Sequence, residues 1–99
     1  MARSSPRLDP QLQAPARLRL MTMLTAVSEI EFATLRDALE VTDSVLSKHV
    51  SLLASESYLK TRKGTHAGRR TTWISITSAG RRVLSSHVAA LRQIIDGID

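Results

Sequence analysis

The strongest constraint on the fold of this chain is a hairpin pattern that lies between segments of helical periodicity. Residues 58–63 and 71–77 are rich in β-forming side chains, and the loop between them, 64–70, contains two glycines. Two short β-rich runs separated by a glycine-containing loop predict a β-hairpin. The chain has 99 residues, which suits one domain with a modest core. The fold therefore has to combine one hairpin with a small number of helices.

Apolar residues upstream of the hairpin recur at intervals of three and four, which predicts helices. The first helix is expected over 15–28, with Pro15 in its first turn, where the missing N–H costs nothing. The second is expected over 33–40 and the third over 43–56. Thr42 is expected to cap the third helix, because its hydroxyl can accept from N–H groups of the next turn.

The two ends of the chain complete the predicted domain. A last helix is expected over 78–96, capped by Thr77 and formed despite Gly80 in its first turn. Residues 1–14 are polar, contain two prolines and are interpreted as a flexible N-terminal arm. The domain proper therefore spans 15–96. Its predicted class is mainly α with a small β-hairpin, ending in the long C-terminal helix.

Charge is distributed unevenly along the chain. The formal net charge is +5, yet no Asp or Glu occurs between Ser57 and Ile95, where eight Lys or Arg residues lie. Such asymmetry builds a positive field that attracts polyanions. The cations crowd most densely around the predicted hairpin, as Lys60, Arg62, Lys63, Arg69 and Arg70. Their placement points to nucleic acid as a partner.

Several other functional classes find no support in the sequence. The absence of cysteine excludes disulfides and thiolate metal sites. The three histidines do not occur at metal-ligand spacing, and no set of nucleophile, base and orienting residue is present. No apolar run approaches the ~20 residues that span a bilayer. We therefore predict no enzyme activity, no metal, no cofactor and no membrane partner, and we expect a cytoplasmic, nucleoid-associated protein.

Two short helices followed by a hairpin form the order of a winged helix-turn-helix. In that architecture the third helix enters the DNA major groove, about 12 Å wide, and the hairpin reaches a neighbouring groove or phosphate strand. The exposed face of the third helix supplies the predicted contacts Ser44, Ser47, Lys48 and Ser51. An ordinary solvated helix face is the alternative for these four residues taken alone. The hairpin adds the predicted contacts Arg62, Lys63, Arg69 and Arg70.

The last helix carries an apolar stripe that is longer than a small core can cover. Its members follow alternating spacings of three and four residues over about four turns. Together with the apolar first helix, the stripe predicts a homodimer interface made of Leu18, Met21, Leu84, His87, Val88, Leu91, Ile94, Ile95 and Ile98. Two-fold pairing would present two third helices to a palindromic DNA site.

Three stretches of the chain resemble a known family. Residues 43–53 read Asp-Ser-Val-Leu-Ser-Lys-His-Val-Ser-Leu-Leu, Tyr58 follows, and residues 68–81 read Gly-Arg-Arg-Thr-Thr-Trp-Ile-Ser-Ile-Thr-Ser-Ala-Gly-Arg. This pattern, with the entry at 14–19, resembles the small bacterial winged-helix regulators, a MarR-like group reduced to one DNA-binding domain. The resemblance covers about residues 8–96.

The resemblance implies a homodimeric transcription regulator whose first and last helices form the dimer interface. By position it implies base contacts for Ser44, Ser47 and Lys48, and hairpin contacts for Arg69 and Arg70. The chain departs from the family at Ser57, where the family usually has glycine. Serine tolerates a left-handed helix cap less well, so a different turn into the hairpin is expected there.

The function expected from these observations is that of a DNA-binding transcriptional regulator, a homodimeric repressor that blocks promoter access. Two alternatives stay open. One is a winged-helix protein-interaction module with an incidental basic face, and the other is a binder of structured RNA that uses the same cations. No set of residues demands a small-molecule effector.

Overall fold

A computed structural model describes residues 5–98 of the chain. After a short 3-10 turn at Pro10–Leu12, the elements are α1 (Pro15–Leu24), β1 (Ile30–Glu31), α2 (Phe32–Leu39), α3 (Asp43–Ser55), β2 (Leu59–His66), β3 (Arg69–Ile76) and α4 (Ser78–Asp96). The strands form one antiparallel sheet in the order β1-β3-β2. The predicted class, helices with a small hairpin and a long last helix, is confirmed, and β1 adds a third strand.

Side-chain caps fix where α3 and α4 begin. The Thr42 hydroxyl accepts from the Val45 N–H at 3.2 Å, and the Thr77 hydroxyl accepts from the Gly80 N–H at 2.9 Å. Both predicted caps are confirmed. A hydroxyl at this position satisfies one of the N–H groups that have no partner within the helix.

The first helix ends earlier than its apolar pattern predicts. α1 stops at Leu24 rather than at residue 28, and Val27 is exposed. The prediction was wrong because the chain has to turn back here to bring β1 into the sheet, where Ile30 pairs with Ile74. That pairing is non-local, so helical spacing alone does not reveal it.

A left-handed residue ends α3. Ser57 has a φ of 64°, with the Tyr58 N–H donating to the Leu53 carbonyl and the Ser57 N–H to the Ala54 carbonyl, both at 2.9 Å. These two bonds make a Schellman motif, which usually has glycine at the position of Ser57. The expectation of a different turn was wrong, since the serine adopts the glycine-type conformation.

The core lies between the helices and one face of the sheet. Its fully buried side chains are Leu12, Leu20, Met21, Leu24, Leu35, Leu46, Leu53, Ile74 and His87. Within residues 5–98, no helix is both long enough and apolar enough to cross a membrane.

The segment before α1 is packed onto the domain. Leu12 is fully buried, and Asp9 forms hydrogen bonds with three residues. Its N–H donates to His87 Nδ1 at 2.9 Å, its Oδ1 accepts from the Gln11 N–H at 2.8 Å, and its Oδ2 accepts from the Tyr58 hydroxyl at 2.6 Å. The prediction of a flexible arm was therefore wrong for residues 9–14, while residues 1–4 lie outside the described part.

The hairpin is longer and tighter than predicted. β2 and β3 pair from Leu59 with Ile76 out to His66 with Arg69, so most of the predicted loop 64–70 is strand. The two turn residues, Ala67 and Gly68, have φ values of 51° and 77°. Two positive φ values in a two-residue loop are typical of a type I′ turn, whose twist matches that of the strands. We call this hairpin, residues 59–76, the wing.

Candidate nucleic-acid interface

The third helix presents a polar face to solvent. Leu46, Val50 and Leu53 are buried on one side of α3, since residues at these spacings share a face of a helix. The predicted contact residues on the opposite side are all exposed: Ser44, Ser47, Lys48 and Ser51. The first three of these lie within the first two turns of α3. The structure thus brings together the four predicted residues of this helix.

The two edges of α3 are held by neighbouring helices. Arg36 of α2 donates from Nη1 to Asp43 at 2.8 Å and from Nε to Asp37 at 2.9 Å. These hydrogen bonds, first that to Asp37 and then that to Asp43, raise the pKa of Arg36 above its ordinary value. On the other edge, His49 Nδ1 lies 3.4 Å from Arg17 Nη1 of α1. Burial, followed by the charge of Arg17, lowers the pKa of His49, and the side chain is half-buried.

The wing carries its cations on two different faces. Alternate residues of a strand point to opposite sides of the sheet. Lys63 and Arg70 therefore share the side of the buried residue Ile74, while Arg62 and Arg69 lie on the other side, which we call the outer face. Arg69 and Arg70 are adjacent in sequence, and their side chains project from opposite faces of the wing. All four predicted wing contacts are exposed.

The Arg62 side chain contacts an acid and an aromatic ring of its own chain. Its Nη2 donates to Glu29 Oε1 at 2.6 Å and its Nε donates to Glu29 Oε2 at 3.3 Å. Its guanidinium carbon also lies 5.7 Å from the ring centroid of Trp73, within range of a cation–π contact. The hydrogen bond lowers the pKa of Glu29 and raises that of Arg62. Glu29 precedes β1 and was not predicted as a site residue, because 33 residues separate it from Arg62.

A second acid occupies the same outer face nearer the wing tip. Glu31 accepts a hydrogen bond from the Thr71 hydroxyl at 3.0 Å, and its Oε1 lies 3.5 Å from His66 Nε2. The His66 ring meets Trp73 edge-on, with centroids 5.8 Å apart. We call the group Glu29, Glu31, Arg62, His66 and Trp73 the outer-face cluster. Its two acids offset part of the positive charge on this face.

The predicted dimer residues divide into buried and exposed groups. Met21, Leu84 and His87 are 0%, 7% and 1% exposed within one chain. The chain's own core already covers these three side chains, although Leu84 also borders an open groove between α1 and α4. Leu18, Val88 and Leu91 are half-buried. The last three members of the stripe are exposed, namely Ile94, Ile95 and Ile98 at 52%, 63% and 73%.

The apolar surface next to these residues forms a groove between the first and last helices. Thr22 of α1 faces Val88 and Ala89 of α4 across it, and Leu18 and Met23 border a second hollow beside Thr22. Leu84, Ser85 and Arg92 of α4 also line the groove, and the exposed Ile94, Ile95 and Ile98 lie further along the same helix. Exposed apolar residues grouped on one helix are typical of an interface between proteins.

Comparison with known proteins gives the same architecture. Residues 16–95 match the family described as the winged helix DNA-binding domain. A transcriptional regulator homologue from Pyrococcus horikoshii OT3 is 29% identical, with a TM-score of 0.83 over 90% of this chain and 88% of that one. The Methanocaldococcus jannaschii protein MJ0432, an uncharacterized protein, is 28% identical over 83 residues, which are 84% of this chain and 90% of MJ0432.

More distant structures share the fold alone. A MarR family transcriptional regulator from Silicibacter pomeroyi is 22% identical, with a TM-score of 0.68 over 90% of this chain and 61% of that longer chain. The predicted resemblance to MarR-like winged-helix regulators is confirmed at the level of fold. Since the family match covers most of the residues, from α1 to the last turns of α4, the chain belongs to the winged helix DNA-binding domain family.

Proposed function

We propose that the protein is a transcriptional regulator that binds duplex DNA with α3 in the major groove and the wing against neighbouring phosphates. One observation carries the proposal: the exposed polar face of α3 leads through the Ser57 turn directly into a strand rich in cations. Recognition of duplex DNA requires a helix that fits the major groove and cations that contact the phosphate backbone of the DNA. Membership of the family supports the same function.

Each part of this surface has a distinct role in the proposal. The short side chains of Ser44, Ser47 and Ser51 let the helix approach the bases closely, and their hydroxyls can bond base edges or phosphates. Lys48 reaches guanine acceptors or a phosphate. Further phosphate contacts come from the predicted wing contacts other than the engaged Arg62, namely Lys63, Arg69 and Arg70.

We also propose that two copies act together. The stripe of α4 continues past the chain's own core, so Ile94, Ile95 and Ile98 need another surface to cover them. A second copy offers the same groove and the same stripe, as a two-fold interface requires. Such a dimer would read a palindromic operator and would repress transcription by excluding other proteins from the promoter.

The proposal is tested by fluorescence anisotropy with a DNA duplex and an RNA duplex of the same sequence, over a range of salt. We expect a preference for DNA. A preference for RNA would favour the RNA-binding alternative, and no binding to either duplex would favour a protein-interaction module.

The same measurement tests the role of the wing cations. Each phosphate contact contributes a slope of about 0.9 to the dependence of log K on log salt. Changing both Lys63 and Arg70 to Gln should therefore reduce the slope by about 1.8. The matched control is Lys60→Gln, because Lys60 is an exposed cation at the base of β2, and it should reduce the slope less. An unchanged slope in the double variant would contradict phosphate contact by the wing.

A further inference from the structure

In the part of the chain that the structure describes, the outer half of the wing has no third strand beside it. β1 pairs only with Trp73 and Ile74 of β3, so from Lys63 and Thr72 outward the wing is a ribbon of two strands. A two-stranded ribbon is marginally stable in water and needs packing at its base to keep one orientation. If the wing contacts DNA, its free energy of binding depends on how well that orientation is set beforehand.

The outer-face cluster lies where the ribbon leaves the three-stranded sheet. At this point Arg62 of β2 pairs with Trp73 of β3. Glu29, in the segment before β1, accepts two hydrogen bonds from the Arg62 guanidinium. Gly64 provides the space, because a Cβ at that position would stand 2.8 Å from Arg62 Nη1 and 3.3 Å from Trp73 Cδ1. The Arg62 side chain is 57% exposed, and its guanidinium is flanked by a carboxylate, an indole ring and a glycine backbone.

Within residues 5–98, Arg62 differs from the other lysines and arginines of the wing by its salt bridge with Glu29. It lies on the outer face, opposite Lys63 and Arg70, and its charge is already matched by Glu29. We propose, on the basis of the proposed function, that Arg62 and Glu29 are positioning residues that hold the wing ready for DNA. Arg62 then does not contact a phosphate, contrary to the role that its sequence position suggests.

The two possible roles of Arg62 predict different effects of charge changes on DNA affinity. If Arg62 bound a phosphate, Arg62→Gln would lower the salt slope by about 0.9, and Glu29→Gln would tighten binding by freeing the arginine and removing an acid. If the pair positions the wing, both changes weaken binding although they alter the charge in opposite directions. We expect losses of about three- to tenfold for each, as the strengths of exposed ion pairs and cation–π contacts imply. The double variant should be no weaker than either single variant.

The experiment compares wild type, E29Q, R62Q and the double variant by anisotropy on one DNA duplex at several salt concentrations. R62K is the second probe, because lysine keeps the charge but loses the paired hydrogen bonds. It should bind like R62Q, with its salt slope retained. K60Q is the matched control, since Lys60 is an exposed cation of the same face and is two residues from Arg62. Fluorescence of Trp73, the only tryptophan, reports directly on the stacked guanidinium.

The outcomes separate this inference from the function on which it rests. Weaker binding by E29Q, R62Q and R62K, together with a changed Trp73 emission and unchanged helix content by circular dichroism, would support the positioning role. Tighter binding by E29Q, additive losses in the double variant, or wild-type affinity for R62K would overturn it while leaving DNA binding intact. No duplex binding by the wild-type protein would overturn the proposed function as well.

Discussion

At Ser57 the backbone turns from the proposed recognition helix into the wing with a φ of 64°, a conformation that strains a residue with a Cβ. Replacing Ser57 by Gly should therefore raise the free energy of unfolding by about 1 kcal/mol. Chemical denaturation measures the change. Ser55→Gly is the matched control, because residue 55 is helical and glycine there should destabilise by about 0.5 kcal/mol. Equal losses in the two variants would contradict the role of the left-handed turn.

A second prediction at the scale of residues concerns Tyr58, the only tyrosine. Its hydrogen bond to Asp9, with burial as a further cause, raises its pKa from 10.0 to about 12. The folded-state pKa lies above the unfolded value, so this stabilisation is complete below about pH 10 and is lost as the pH rises through about 12. Titration by tyrosinate absorbance should show the raised pKa in the wild type.

The Asp9→Asn variant supplies the comparison for that titration. The substitution removes the negative charge of Asp9, which stabilises the protonated form of the Tyr58 phenol. The pKa of Tyr58 should therefore move back toward its ordinary value. The variant should also lose less stability than the wild type between neutral pH and high pH. Identical titrations of the two proteins would show that the contact between Tyr58 and Asp9 is absent in solution.

At the scale of elements, Gly80 shows how α4 packs onto the end of the hairpin. A Cβ at this position would collide with the Tyr58 carbonyl oxygen and would stand 2.9 Å from Ile76 Cγ1. Helix propensity alone predicts that Gly80→Ala stabilises. We expect instead a loss of about 1–3 kcal/mol in the free energy of unfolding, because backbone atoms cannot move aside cheaply.

Gly97, at the end of the same helix, is the matched control for this substitution. Its φ is −79°, and the nearest atoms to a Cβ there would lie at 3.4 Å and 3.6 Å, which is ordinary contact. Gly97→Ala should be neutral or stabilising by about 0.5 kcal/mol. If Gly80→Ala behaved in the same way, the close approach of α4 to the hairpin would be disproved.

Local patterns predicted most of the elements because their causes are local. Apolar spacing and the hydroxyls of Thr42 and Thr77 fix α3 and α4 within a residue or two of where they are observed. The end of α1 and the packing of residues 9–12 escaped prediction, since both depend on partners far away in the chain. Asp9, for example, meets Tyr58 and His87 across 49 and 78 residues.

The candidate site shows the same division. The exposure of the α3 face follows from helical periodicity, and it was predicted. The separation of Arg69 from Arg70 also follows from a local rule, the alternation of side chains in a strand, once the strand is known to continue to the tip. The engagement of Arg62 by Glu29 was hidden, because nothing in the spacing of the two residues indicates that β1 brings them together.

At the scale of the whole molecule, the apolar end of α4 predicts self-association. Changing Ile95 and Ile98 to Glu should convert a dimer into a monomer, because charged side chains are costly in an apolar interface. Sedimentation equilibrium measures the mass directly. Gln93→Glu is the control, since it adds an acid on an exposed part of the same helix. A wild-type protein that stays monomeric at high concentration would contradict the proposed interface.

The central claim, that two copies of this winged-helix chain recognise a defined DNA site, is tested most directly by footprinting the bound DNA across the genome that encodes it. We predict protected sites with two-fold symmetric halves, about 10–10.5 base pairs apart or a multiple of that spacing, located at promoters. Uniform recovery of DNA without a shared sequence, or single sites without symmetry, would contradict the claim.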